Sequence, residues 1–200
     1  MLVALLPLAA AITAPADRLE REIVTELNFV RANPKAYAKR LRAYRRQFRG
    51  KIVYYPAKPE GLRTREGVVA VDEAIAFLER QPPLPALSPA RLLAETAGLH
   101  VAEQGPRGAT GHFSENGDDP RDRARRAGGG DYVAETITYG PPSAVEVVRQ
   151  LIVDDDVPGR GHRRTVFAAE MRHVGVRCGP HKVYRTMCVA EFARHPDGRR

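Results

Sequence analysis

The order of its hydrophobic patterns constrains this chain more than any other feature. Apolar residues recur at helical spacing through most of its length, and strict alternation is confined to the C-terminal end. Residues 173–178 alternate with Val174 and Val176 on one side. Residues 183–192 alternate as well and are rich in β-branched and aromatic side chains, the pattern of half-buried strands. Helices that come first and strands that come last predict an α+β fold in which helices cover an antiparallel sheet. With 200 residues, one domain with a real hydrophobic core is expected.

The helical part divides at its breakers. Asp17 and Glu20 have the spacing of a capping box, and Leu19, Ile23, Leu27 and Val30 follow on one stripe. Asn33-Pro34 interrupts that helix and opens a second, with Tyr37, Leu41, Tyr44 and Phe48 as its apolar face. Residues 50–67 read as irregular, with a short strand at 52–55 and nothing longer because of Pro56 and Pro59. A third helix carries Val71, Ile75 and Leu78 and stops at Pro82-Pro83. Ser88-Pro89 reads as the start of the next, with Leu92, Leu93, Thr96, Ala97 and His100 on one stripe. A Gly- and Asp-rich loop over 105–119 precedes a short helix from Pro120 to about Gly128 and a β-forming stretch at 133–139. Ser143 and Glu146 form another capping box, with Val145, Val148 and Ile152 on one face, and 154–161 is a loop.

The N-terminus is apolar through Ile12 and ends in Ala14-Pro15-Ala16, an A-x-A cleavage pattern, although no Lys or Arg precedes the apolar run. Residues 1–16 are therefore expected to be a signal peptide. Residues 17–200 would be the single mature domain, exported to the periplasm or the exterior. Export favours a disulfide between Cys178 and Cys188; two buried free thiols are the alternative. A tight turn at Gly179-Pro180 would separate the two cysteines, so a bridge needs a longer loop or a displaced register. The net charge of +8 is nearly all arginine. The arginines are scattered, the densest run (Arg121, Arg123, Arg125, Arg126) is short, and no nucleic-acid motif accompanies them. Charge spread over solvated faces is expected, with no nucleic-acid partner and a monomeric chain.

Motifs for nucleotide binding, for serine hydrolases and for helical zinc proteases are absent. Six histidines remain. His100 lies on an apolar helix stripe and reads as a core or rim residue; His173, His181 and His195 default to the surface. His112 and His162 each follow a glycine, in Gly111-His112-Phe113-Ser114 and Gly161-His162-Arg163. Glycine allows sharp turns and close ligand approach.

These segments form an ordered set. Leu27-Asn28-x-x-Arg31-x-Asn33-Pro34-x-x-Tyr37-Ala38 comes first, then Gly111-His112-Phe113-Ser114, Ala134-Glu135-Thr136-Ile137, Gly161-His162-Arg163-Arg164, Val174-Gly175-Val176 and Cys188-Val189-Ala190-Glu191-Phe192-Ala193. In order and spacing the set resembles the CAP superfamily of SCP-like extracellular proteins, and is most similar to bacterial secreted members. The resemblance implies an α-β-α sandwich with a central antiparallel sheet. It also implies a surface cleft where His112, Glu135 and His162 bind a divalent cation, zinc before others, or a small ligand. Ala134, Thr136 and Thr165 depart from the family pattern, and Asp154 stands as a substitute for its second cleft acid. Two imidazoles and a carboxylate suit zinc with a position left open. A metal-assisted hydrolase, most naturally a protease, is the first alternative, with Glu135 as its one recognisable general base; Ser114 near His112 suggests a nucleophile, but one serine near one histidine is common by chance. A binding module for lipid or an anionic cell-envelope polymer is the second. No catalytic residue is assigned.

Overall fold

The computed structural model describes residues 15–56 and 58–200. The expected leader, 1–16, lies outside them apart from its last two residues, which open helix α1 (Pro15–Ala32). The alternating C-terminal segments form the hairpin at the centre of the fold, β6 (His173–His181) and β7 (Arg185–Ala193). β5 (Val133–Tyr139) pairs antiparallel with β7 on its free side. β4 (Ser88–Pro89) adds two parallel residues to β6, giving the order β4-β6-β7-β5.

One face of this sheet carries Val174, Val176, Cys188, Ala190 and Phe192. They enter the main core with Ile23, Leu27 and Val30 of α1, with α2 (Pro34–Arg45) and α3 (Val68–Arg80), and with Val148, Leu151 and Ile152 of α6 (Ala144–Val153). The opposite face packs on α4 (Arg91–Arg107) and α5 (Pro120–Arg126). The result is the α+β sandwich of three layers. Gly175 shows how closely α4 sits: a Cβ there would lie 2.0 Å from the Ala94 nitrogen, so only glycine fits.

Several local readings need correction. Pro180 does not turn the chain. Cys178 and Cys188 are direct register partners in a hairpin that runs on to His181, and the disulfide joins them with a Cα–Cα separation of 4.1 Å. The Cys178 N–H points away from β7, donating to Glu20 Oε1 at 3.0 Å. Pro180 has the same parity, so its missing N–H falls on the outer edge and costs no ladder bond. Glu20 accordingly is not a capping-box residue; besides that bond it pairs with Arg177 at 2.8 Å. A side chain holds the edge of β6 beyond the short β4. The turn itself is made by His181, 2% exposed and not on the surface. Its Nδ1 accepts from the N–H groups of Val183 and Tyr184, while Nε2 donates to the Ala109 carbonyl at 2.8 Å.

Ser88-Pro89 is strand and not helix start. The N–H groups of Ser88 and Ala90 donate to the Arg172 and Val174 carbonyls, and Pro89 between them lacks one. Residues 48–63 are more regular than expected, a three-stranded meander of β1 (Phe48–Arg49), β2 (Ile52–Tyr55) and β3 (Lys58–Arg63). Pro59 is tolerated because β3 is an edge strand. Val145 faces solvent at 48%; Val147 and Leu151 take its place on the buried face of α6. His162 lies in a short helix, α7 (Gly161–Val166), and not in a loop.

Candidate functional site

His112, Glu135 and His162 line one cavity of about 430 Å³, with Arg164, Thr165, Glu170 and Met171 among its other walls. The cavity opens beside β5, the edge strand of the four-stranded sheet. The two imidazole centroids are 6.3 Å apart. Each ring is tied through Nδ1 to a carboxylate: His112 to Glu135 Oε1 at 2.8 Å, His162 to Asp154 Oδ1 at 2.7 Å. Nδ1 must carry the proton to donate to a carboxylate, which leaves Nε2 of each ring as a lone-pair donor. Among the described residues neither Nε2 has a hydrogen-bond partner.

Asp154 is buried and left-handed (φ 57°) at the C-terminal cap of α6. Its Oδ2 accepts the backbone N–H groups of His162 at 2.9 Å and Arg163 at 3.2 Å, while Oδ1 takes the ring. One carboxylate thus fixes both the start of α7 and the imidazole on it. Arg160 and Arg163 hold the same corner: Arg160 pairs with Glu66 and Glu73, each at 2.6 Å, and Arg163 donates to the Ile152 and Val153 carbonyls. The Arg160 guanidinium beside it pulls the Glu66 carboxyl down to about 2.

His112 rests on a wider set of supports. Gly111 before it has φ +103°, a conformation suited to glycine. Its carbonyl accepts from His100 Nε2 at 2.9 Å and Gln104 Nε2 at 2.7 Å, both on α4. Its N–H donates to the Tyr139 hydroxyl at 3.0 Å, which in turn donates to Gln104 Oε1. The carboxylate behind the ring, Glu135, is gripped on its other oxygen by Arg123, a buried residue of α5 whose guanidinium also donates to the His112 carbonyl at 2.9 Å.

Beside Glu135 on β7 stands Glu191, its register partner, fully buried. Thr96 donates to Glu191 Oε2 at 2.8 Å; Oε1 has no hydrogen bond and lies 3.9 Å from Arg123. Burial first, and the Glu135 charge second, push the Glu191 carboxyl up to about 8. Burial likewise lowers the affinity of His100 for its proton.

The expected trio therefore lines one cleft, with Asp154 directly behind His162. Both Glu135 oxygens are engaged, by His112 and Arg123. Among the described residues no group of three or more His, Cys, Asp or Glu is arranged to hold a metal ion. What the cleft offers is two imidazole nitrogens with their carboxylates behind them. Ser114 Oγ approaches Arg123 at 3.5 Å, and no hydrogen bond joins it to His112.

Sequence reasoning counted Arg123 among the solvated arginines, although it is buried, and gave Gln104 and Tyr139 no role at the site. Arg31 appeared only inside a motif, yet it is fully buried and donates to the carbonyls of Pro85, Val166, Ala168 and Met171 behind the cavity floor. Desolvation brings its pKa down to about 10. For Arg31 the signal was a charged residue beside the apolar stripe of α1, since a buried polar side chain must have partners.

The family model described as the cysteine-rich secretory protein family, CAP, matches residues 40–192. No curated protein matches the chain. An extracellular protein containing an SCP domain from Bacillus anthracis str. Ames is similar in structure, with a TM-score of 0.47 and 18% identity over 64% of this chain and 38% of that one. An outer surface protein from Borrelia burgdorferi is similar at a TM-score of 0.45 and 14% identity, over 72% of this chain and 97% of its own. This chain thus spans 38% of the Bacillus protein's length. Among the described residues no helix is long and apolar enough to cross a membrane. With residues 40–192 matched, the chain belongs to the cysteine-rich secretory protein (CAP) family.

Proposed function

We propose that this chain is an exported binding domain whose cleft takes a divalent cation, zinc first, on Nε2 of His112 and Nε2 of His162. The observation that carries the reading is the paired carboxylate–imidazole arrangement. A carboxylate on Nδ1 sets the tautomer and raises the basicity of the other nitrogen, the usual support for a metal-binding histidine. The donor set fits zinc in kind. Zinc–nitrogen bonds of about 2.0–2.1 Å put two imidazole centroids roughly 5–6 Å apart, a small movement from the 6.3 Å here.

Glu135 is assigned to orienting His112 and Asp154 to orienting His162. Two protein ligands are fewer than the three usual in catalytic zinc sites, which favours an exchangeable ion completed by water or a small ligand. A bound cation would supply Lewis acidity at the open positions. Hydrolysis has less support, because Glu135, the carboxylate beside His112, is held on both oxygens. Export is supported by the apolar leader, by the family and by the disulfide.

Calorimetric titration of the purified chain with zinc is the test. Wild type should bind, and the double variant His112→Ala with His162→Ala should lose the heat signal entirely. Equal binding by the two proteins overturns the reading.

A further inference from the structure

Residues 160–164 place three arginines at the cleft's edge, and they are not equivalent. Arg160 is consumed by Glu66 and Glu73, and Arg163 by Glu73 and two backbone carbonyls. Arg164 is exposed, lines the cavity with both histidines, and has no hydrogen bond or ion pair among the described residues. Its guanidinium lies over the turn at Gly159 (φ +63°), where a Cβ would come within 2.8 Å of Nη1. The turn leaves it space, and among the described residues no carboxylate pairs with it.

We propose that the cleft takes a small ligand bearing an oxyanion, a carboxylate or a phosphate group, with Arg164 as the fork that receives it beside the two imidazoles. The proposal deepens the reading of the cleft as a binding site. A guanidinium is planar, always charged and matched to the two oxygens of such a group. A cation held on the two Nε2 lone pairs gives the oxyanion a second favourable contact; without one, Arg164 alone receives it. The cavity, at about 430 Å³, is of the size that holds small molecules. Glu135 does not oppose an anion, because Arg123 balances it. Glu170 does oppose it: it lines the cavity and is exposed. The two charges therefore predict effects of opposite sign.

The test is titration of inorganic phosphate, and separately of acetate, into the zinc-free and the zinc-loaded chain. Arg164→Gln should weaken binding of the preferred anion at least tenfold. Arg164→Lys should fall between, since lysine keeps the charge and loses the fork. Glu170→Gln should tighten binding several-fold. Tighter phosphate identifies a phosphorylated ligand and tighter acetate a carboxylate. Equal anion affinity in wild type and Arg164→Gln overturns the proposal, as does an absence of anion binding to either form. Zinc binding by wild type is read in anion-free buffer. If zinc fails there while Arg164-dependent anion binding persists, the metal reading falls and this one stands; the opposite pattern removes only this one.

Discussion

His162 and His112 face one cavity, but their supports differ in reach. His162 is held from within ten residues of chain: Asp154 receives its ring, its own N–H and that of Arg163. His112 is held from α4, α5 and β5 at once, through His100, Gln104, Tyr139, Glu135 and Arg123. The local support puts three neutral donors on one carboxylate. The distributed support puts one cation, Arg123, against two buried carboxylates, and its second carboxylate, Glu191, lacks a partner on one oxygen. The wide support thus spreads its hydrogen bonds but concentrates its charge balance on one residue.

Arg123→Met is the substitution that breaks this contrast most directly. Glu135 would be left buried without its counter-charge, a loss that typically costs about 3–5 kcal/mol. Urea unfolding at neutral pH should show a destabilisation of that size. A loss under about 1 kcal/mol, the range of exposed pairs, would mean that Arg123 does not carry the charge balance of the His112 side.

Glu191 sharpens the same side through pH. Its carboxyl ordinarily titrates near 4.5 and is pushed up to about 8 in the folded chain. Below 4.5 both states hold the proton and its contribution is fully present. As pH rises towards 8 the unfolded chain releases the proton first, so folded stability falls across that window. Glu191→Gln keeps the Thr96 contact and cannot titrate. Melting temperatures of both proteins from pH 5 to pH 8 should therefore show the variant gaining on wild type as pH rises. The difference curve cancels His100, which is common to both. A flat difference would remove the buried protonated acid from this account.

The contrast also explains what could be read in the sequence. The alternation of β6 and β7 and the Ile23, Leu27, Val30 stripe of α1 are pure periodicity, and all three stripe residues are fully buried. The site trio came from the order of short motifs, with glycines beside both histidines. The disulfide register stayed hidden because the hairpin turn is built by the His181 side chain, which carries no turn signature, while Pro180 carries one and sits where its missing N–H is harmless. Arg123, Gln104 and Tyr139 were invisible for a related reason: each meets Gly111, His112 or Glu135 only after α4, α5 and β5 have packed. Asp154 entered only through the resemblance, as a substitute for the family's second cleft acid, and it lies eight residues before the histidine whose ring it receives.

That difference in reach makes Asp154→Asn the mildest of these tests for the fold. Asparagine tolerates the left-handed backbone that Asp154 adopts and keeps a carbonyl oxygen for one backbone N–H. It loses the charge-assisted bonds to His162 and Arg163, worth about 2 kcal/mol together, and strands no buried cation. Unfolding should therefore cost less than in Arg123→Met. The His162 ring, however, loses the acceptor that sets its tautomer, and the amide can donate to Nδ1 in its place, turning the proton onto Nε2. Zinc affinity should fall about 10–100-fold with the fold nearly intact, and the ring nitrogens should exchange tautomers by nitrogen NMR. If Asp154→Asn destabilises the chain more than Arg123→Met does, or leaves the His162 tautomer unchanged, the local support is not the simple single-carboxylate device described, and the contrast between the two sides of the cleft fails.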